Sequence, residues 1–302
     1  MIRPIHIRSA LVLTLCLALT VTLAGCFGGA EEAQDPAESA DEPAKTTEAE
    51  TGGSPNEGLP IADISDKTTA GANVDRPLLL EAAHAATGLP GDFYVWQLYT
   101  QGTTAVGDLQ ERASATRLLV VFEHDGTAWS VVHQEPFLDA SEAALLTAVP
   151  AVSTELAERV DFVVPVPVDA FYTANVANLA SIAAASGVPT AMYAPTRLPE
   201  GFTLASTEAD YTITAEYRNG DARLLYYALI IGDYGEDAPE LIFDNLRFGD
   251  LPARMDSSFP FLDGTTAEGP HLTAGESFQA LCGSDLSPGM VAAVAQSMVR
   301  VE

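Results

Sequence analysis

Hydrophobic and polar positions change period several times along this chain, and each change marks an element. Ala10 to Thr22 is an uncharged apolar run, too short to span a bilayer as a helix. Phe27 to Asp75 shows no period at all. Pro77 to Ala86 then predicts a short helix, with proline in its first turn and Gly88 past its end. Phe93 to Thr100 is aromatic and branched on both faces, the mark of a buried strand. A polar stretch with Gly102 and Gly107 follows. Thr116 to Glu123 and Thr127 to His133 flank His124-Asp125-Gly126, which predicts a hairpin through Asp-Gly. Ser141 to Val149 and Thr154 to Val160 have helical spacing. Phe162 to Val168 is extended, because Pro165 and Pro167 forbid helix and confine pairing to an edge.

Asp169 suits the N-cap of a helix over Ala170 to Ser186, with Tyr172, Val176, Leu179 and Ala183 on one stripe. Tyr211 to Tyr217 alternates strictly and runs into Asn219-Gly220, a second hairpin signal. Leu224 to Ile231 is apolar on both faces, as a central strand would be, and Leu241 to Phe248 reads as a further strand. Ser287-Pro288 opens a last helix whose stripe is Met290, Val291, Val294 and Met298. Together these elements predict an α+β fold: two small domains, residues 76–188 and 189–302, each an antiparallel sheet packed with helices.

What precedes them is expected to be a leader and a tether. Arg3 and Arg8 give a positive start, the apolar run follows, and Leu23-Ala24-Gly25-Cys26 closes it. This stretch resembles the lipobox of bacterial lipoproteins. The resemblance implies a signal peptide over 1–25, cleavage before Cys26, lipid on its sulfur, and a membrane-anchored protein facing the extracytoplasmic side. Residues 26–75 then hold the lipidated cysteine and an acidic tether. Twelve acids against two lysines, among Gly, Pro, Ser, Thr and Ala, cannot bury enough apolar surface to offset chain entropy, so disorder is expected there.

A second resemblance covers about 190–302. Tyr193 to Phe202, with Leu198-Pro199-Glu200-Gly201-Phe202 at its end, is similar to the opening Pro-x-x-Leu-Pro-Glu-Gly-Tyr motif of an uncharacterised domain family of bacterial envelope proteins. That domain often accompanies lipoprotein-carrier-like or sigma-regulator-like domains. Its hairpin and closing Ser-small-apolar motif correspond to Glu216 to Asp221 and to Ala295-Gln296-Ser297-Met298. A tryptophan common before the last helix of the family is replaced here by the Gly275 to Phe278 region. The resemblance carries no catalytic residues with it.

Charge narrows the partners. The formal net charge is −28, and both residues that the leader would remove from it are arginines. Nucleic acid and anionic headgroups both need clustered Lys/Arg, so neither is an expected partner. The acid excess also fits a salty medium, where screening relieves self-repulsion.

Candidate chemistry is sparse. Of three cysteines, Cys16 lies in the leader and Cys26 at the lipid site. Cys282 is left alone, without an intramolecular partner, and its neighbours suggest a buried residue. No Gly-x-Ser-x-Gly or Ser-x-x-Lys pattern marks a nucleophile, and His84, His124, His133 and His271 are scattered without zinc-ligand spacing. Catalysis is therefore not expected, and no cofactor is implied. No metal is expected: Asp233, Glu236 and Asp237 are weak calcium candidates without EF-hand spacing, and a solvated acidic loop is the favoured reading of that stretch. Tyr94, Trp96, Tyr99, Tyr226 and Tyr227 are candidates to line a groove for a carbohydrate or apolar ligand; aromatic strands otherwise belong to a core. The expected function is non-enzymatic binding of an envelope partner or ligand. The alternatives are a carrier or sensor with an apolar cavity and, further off, an envelope hydrolase.

Overall fold

The structure, a computed structural model, describes residues 54–69, 72–168, 192–209, 212–229, 241–260, 266–274 and 279–301. They belong to one compact unit, Glu50–Glu302. The first sheet is an antiparallel meander of five strands in chain order: β1 (Ile61–Asp63), β2 (Phe93–Gln101), β3 (Thr104–Glu111), β4 (Arg117–His124) and β5 (Trp129–Pro136). The Asp-Gly turn joins β4 to β5 as its sequence requires, with Gly126 at φ 94°. Helix α1 (Ala72–Thr87) covers one face. Leu79 and Ala83 pack there with Leu98, Ala105, Leu109, Val120 and Phe122, and Ile64 closes the cluster.

The other face, with Val106, Leu119 and Val121, looks into the larger core. Two short helices lie beside it, α2 (Glu142–Ala148) and α3 (Thr154–Ala157). Ser141 and Ser153 cap them by accepting the N–H of Ala144 and of Leu156. Among the described residues β6 (Val163–Pro165) pairs only with β8 (Arg197–Pro199), as the prolines in both allow.

Among the described residues the second sheet has seven antiparallel strands. They are β9 (Thr203–Ala209), β10 (Thr212–Asn219), β11 (Ala222–Leu229), β12 (Leu241–Phe248), β13 (Leu251–Pro260), β14 (Thr266–Ala274) and β15 (Gln279–Ser284), in the order β12-β13-β14-β15-β11-β10-β9. Met255, Leu272, Leu281, Tyr226 and Ala215 form one row across it, all fully buried. This row meets helix α4 (Pro288–Gln296), where Ser287 caps the first turn through the N–H of Met290. From Gly289 to Ala295 every residue of α4 is buried. The helix is therefore enclosed on all sides, which its small alanines permit. After it, β16 (Met298–Val301) pairs with β7 (Met192–Pro195). One continuous apolar cluster joins Val106, Leu119 and Val121 of the first sheet to the second sheet and α4.

The expected α+β class is corrected by this architecture. Half of the described residues are in strands and a fifth in helices, so the fold is β-rich, with several sheets and few helices. Strands β3, β13, β14, β15 and β16 occupy stretches where the sequence pattern showed no strand. β3 explains why. Its polar residues are satisfied inside the protein, so its sequence alternates poorly while every residue is buried. The last helix ends at Gln296, and residues that continued its stripe on paper form β16 instead. The helix expected over 170–186, and the boundary expected near 188, lie outside the described residues.

The disorder expected over 27–75 does not extend to residues 54–69. Residues 54–69 belong to the folded body. Asn56, 3% exposed, donates to Thr104 Oγ1 (2.7 Å) and to the carbonyl of Ala151 (3.1 Å), and it accepts the N–H of Thr103. Ser65 Oγ accepts the N–H of Leu98, and Ile64 is 2% exposed. A few anchoring side chains hold this segment, and such anchors leave no periodic trace.

Candidate functional site

One face of β2 presents Gln97, Tyr99 and Gln101 in succession. The two amides are buried and the tyrosine between them is half-buried. Gln101 donates to the carbonyl of Leu59 (2.9 Å) and to Glu155 Oε2 (3.2 Å), and it accepts the hydroxyl of Ser153, the α3 cap. Glu155 also receives the N–H of Gly58. Gln97 accepts the N–H of Asp161 (2.8 Å) and donates toward its carbonyl. The amides thus fasten the segment before β1 and the segment after α3 to the same strand.

Between these fastened walls lie two adjoining hollows of about 570 and 390 Å³. Ile61, Glu158 and Arg159 line both. Gly58, Leu59 and Glu155 complete the first, and Asp63, Tyr99 and Asp161 the second. Desolvation pushes the Tyr99 phenol up to about 12, with Asp63 and Asp161 adding in the same direction. Desolvation raises the Asp161 carboxyl too. Among the described residues no hydrogen bond or ion pair engages the Tyr99 hydroxyl, the Arg159 guanidinium or the Asp161 carboxylate. An uncommitted anion, cation and hydroxyl therefore share one cleft on a fixed frame.

The other aromatic candidates are placed elsewhere. Tyr94 and Trp96 pack with Phe243 in edge-on contacts, at ring separations of 5.0 and 4.7 Å. The Tyr94 hydroxyl donates to Asp244, which Arg112 also binds at 3.1 Å while its guanidinium lies over the Tyr94 ring. These hydrogen bonds hold the Asp244 carboxyl below its usual range, that from Tyr94 counting most. Tyr226 is fully buried and its hydroxyl accepts the N–H of Tyr193. Tyr227 points to the opposite face of the second sheet. Of the five aromatics, only Tyr99 lines the cleft. Asp233, Glu236 and Asp237 lie outside the described residues. Among those described, no group of three His, Cys, Asp or Glu side chains is placed to hold a metal ion.

The second sheet aligns Asp256, His271 and Cys282 on adjacent strands. All three are buried, and burial pushes the Cys282 thiol well up, away from the thiolate that nucleophilic chemistry needs. Nothing in the spacing of 256, 271 and 282 announces this row, which only strand register creates. The cleft was equally hidden, although Gln97 and Gln101, on one face of a strand otherwise rich in aromatic and branched residues, were a visible irregularity. Comparison with known protein families finds no match, and comparison with curated proteins finds none either.

Proposed function

We propose that this is a lipid-anchored protein of the cell envelope that acts by binding, with the cleft between β1 and the α3–Asp161 segment as its binding surface. The observation that carries this reading is the cleft itself. Its walls are fixed by buried amide hydrogen bonds, while Tyr99, Arg159 and Asp161 are left uncommitted, so little ordering is required when a partner engages them. The lining is polar and charged, which favours a binder of polar partners over a carrier with an apolar cavity. The Leu23 to Cys26 stretch and the envelope-domain resemblance of about 190–302 support the setting: lipid on Cys26, an extracytoplasmic body, and an envelope component as partner.

A photo-reactive residue at position 159, compared in living cells with one at exposed Gln134 on β5, tests the site. Adducts formed only from position 159 are expected. Equal adducts from both positions, or none from 159, reject the cleft.

A further inference from the structure

The open edge of β1 borders this cleft. β1 stands at the end of the five-stranded sheet, so one row of its backbone N–H and C=O groups has no strand partner among the described residues. The edge is accessible: Ala62 and Asp63 are exposed, and Leu59 just before the strand is 43% exposed. The opposite rim is negative. Glu155 is engaged by Gly58 and Gln101, but among the described residues no hydrogen bond or ion pair engages the Glu158 or Asp161 carboxylate, and Asp63, which accepts the N–H of Ser65 through one oxygen, lies on β1 itself. A net charge of −28 adds a long-range field of the same sign.

We propose that the β1 edge takes up an extended, basic segment of another polypeptide as an added strand. This rests on the cleft being the binding surface and names the class of its partner. The segment's main chain would pair with the free groups of β1, and its alternate side chains would fall on the face that carries Ile61, Asp63 and Tyr99. A Lys or Arg at such a position reaches Asp63, Asp161 and Glu158, with its aliphatic stem along Ile61 and the Tyr99 ring. Arg159 lines both hollows and opposes a dense run of positive charge. Spaced basic residues therefore suit the site better than an oligolysine.

The probe is an acetylated, amidated seven-residue peptide alternating Lys with Thr or Val, titrated by calorimetry into the full chain in zwitterionic detergent. Saturable 1:1 binding that weakens several-fold from low to physiological NaCl is expected, because the charges are solvent-facing. Asp63→Asn with Asp161→Asn should weaken it about tenfold, the loss of two screened charge contacts. Proline at the alternate positions whose N–H groups pair with β1 should abolish it. In the unaltered protein, amide resonances of Ile61 to Asp63 should shift on titration, a readout that needs no variant to fold. Absent binding, unmoved β1 resonances, or undiminished binding by the proline peptide or by the double variant overturns the proposal. If position 159 still gives specific adducts in cells, the partner class falls and the cleft stands.

Discussion

Ser297 and Arg197, a hundred residues apart in sequence, are hydrogen-bonded to each other at the end of α4. The Ser297 hydroxyl oxygen accepts the N–H of Arg197 at 3.2 Å, and its proton lies between the carbonyls of Val294 (2.8 Å) and Arg197 (3.3 Å). Thr196 meanwhile donates its N–H and its hydroxyl to the Ser297 carbonyl. The opening and closing motifs of the C-terminal half therefore touch. Ser297→Ala should cost about 1–2 kcal/mol, since it strips a 5% exposed residue of its polar partners. Urea denaturation checks this; an unchanged midpoint would show the contact to be passive.

Arg117 ties the first sheet to α4. Its Nε and Nη2 bind both oxygens of Asp108, its Nη1 donates to the Gly289 carbonyl at 2.9 Å, and it lies 4.4 Å from the Phe137 ring centroid. Both members of the pair are at most 4% exposed. Arg117→Met alone should cost about 3–5 kcal/mol, because it strands a buried carboxylate. Adding Asp108→Leu should recover part of that loss. A double-mutant cycle in which the two costs simply add would mean that the ion pair is not coupled.

Residues 54–69 should be needed for stability, while those before 54 should not. A chain starting at Ser54 is expected to melt like the full body. One starting at Arg76 loses β1, the buried Ile64 side chain and the hydrogen bonds of Asn56. Burial of Ile64 contributes about 1.5–3 kcal/mol and each lost hydrogen bond about 1 kcal/mol. Equal thermal midpoints for the two chains would remove this segment from the fold.

The β4–β5 turn should be acid-sensitive. Asp125 accepts the Thr127 hydroxyl and the N–H groups of Thr127 and Ala128, and these bonds, led by the hydroxyl, lower its carboxyl to about 2. A carboxyl lowered in the folded state adds stability above its unfolded value near 4, and that stability is lost as pH falls from about 4 to 2. Asp125→Ala should therefore lower the melting temperature at pH 7 and converge with the parent near pH 2. A difference independent of pH would mean that the charge is not what matters.

Membrane attachment should depend on the thiol of Cys26. Cys26→Ala is expected to leave the membrane fraction or to accumulate unprocessed. Normal processing with unchanged lipid labelling would exclude the lipobox reading.

What could be read from the chain depended on how each residue is stabilised. The Asp-Gly and Asn-Gly hairpins and the Ser287-Pro288 start were legible because local backbone geometry alone demands those residues. β3 was not, since Asp108, Gln110 and Glu111 are matched by Arg117, Trp96, Gly91 and Ser114, partners that only folding supplies. β16 was not, because Met298 continues a helical stripe until its pairing with Pro195 overrides it. The aromatic stretch of β2 was legible as a strand. It was the glutamines flanking Tyr99, however, that built the cleft, and their role depends on the carbonyls and hydroxyls of distant segments.

The pairing of β7 with β16 is also expected to set the pace of folding. Met192 must find Val301 across more than a hundred intervening residues, a far longer loop than the one between β6 and β8. The nearest-neighbour hairpins of the first sheet can zip early, whereas this closure is a slow search through a long loop. Until it succeeds, α4 should lack part of its enclosure, leaving its alanine-rich surface wet. Refolding should therefore show a fast phase reporting the first sheet and a late one in which burial of α4 and closure of β7 on β16 occur together.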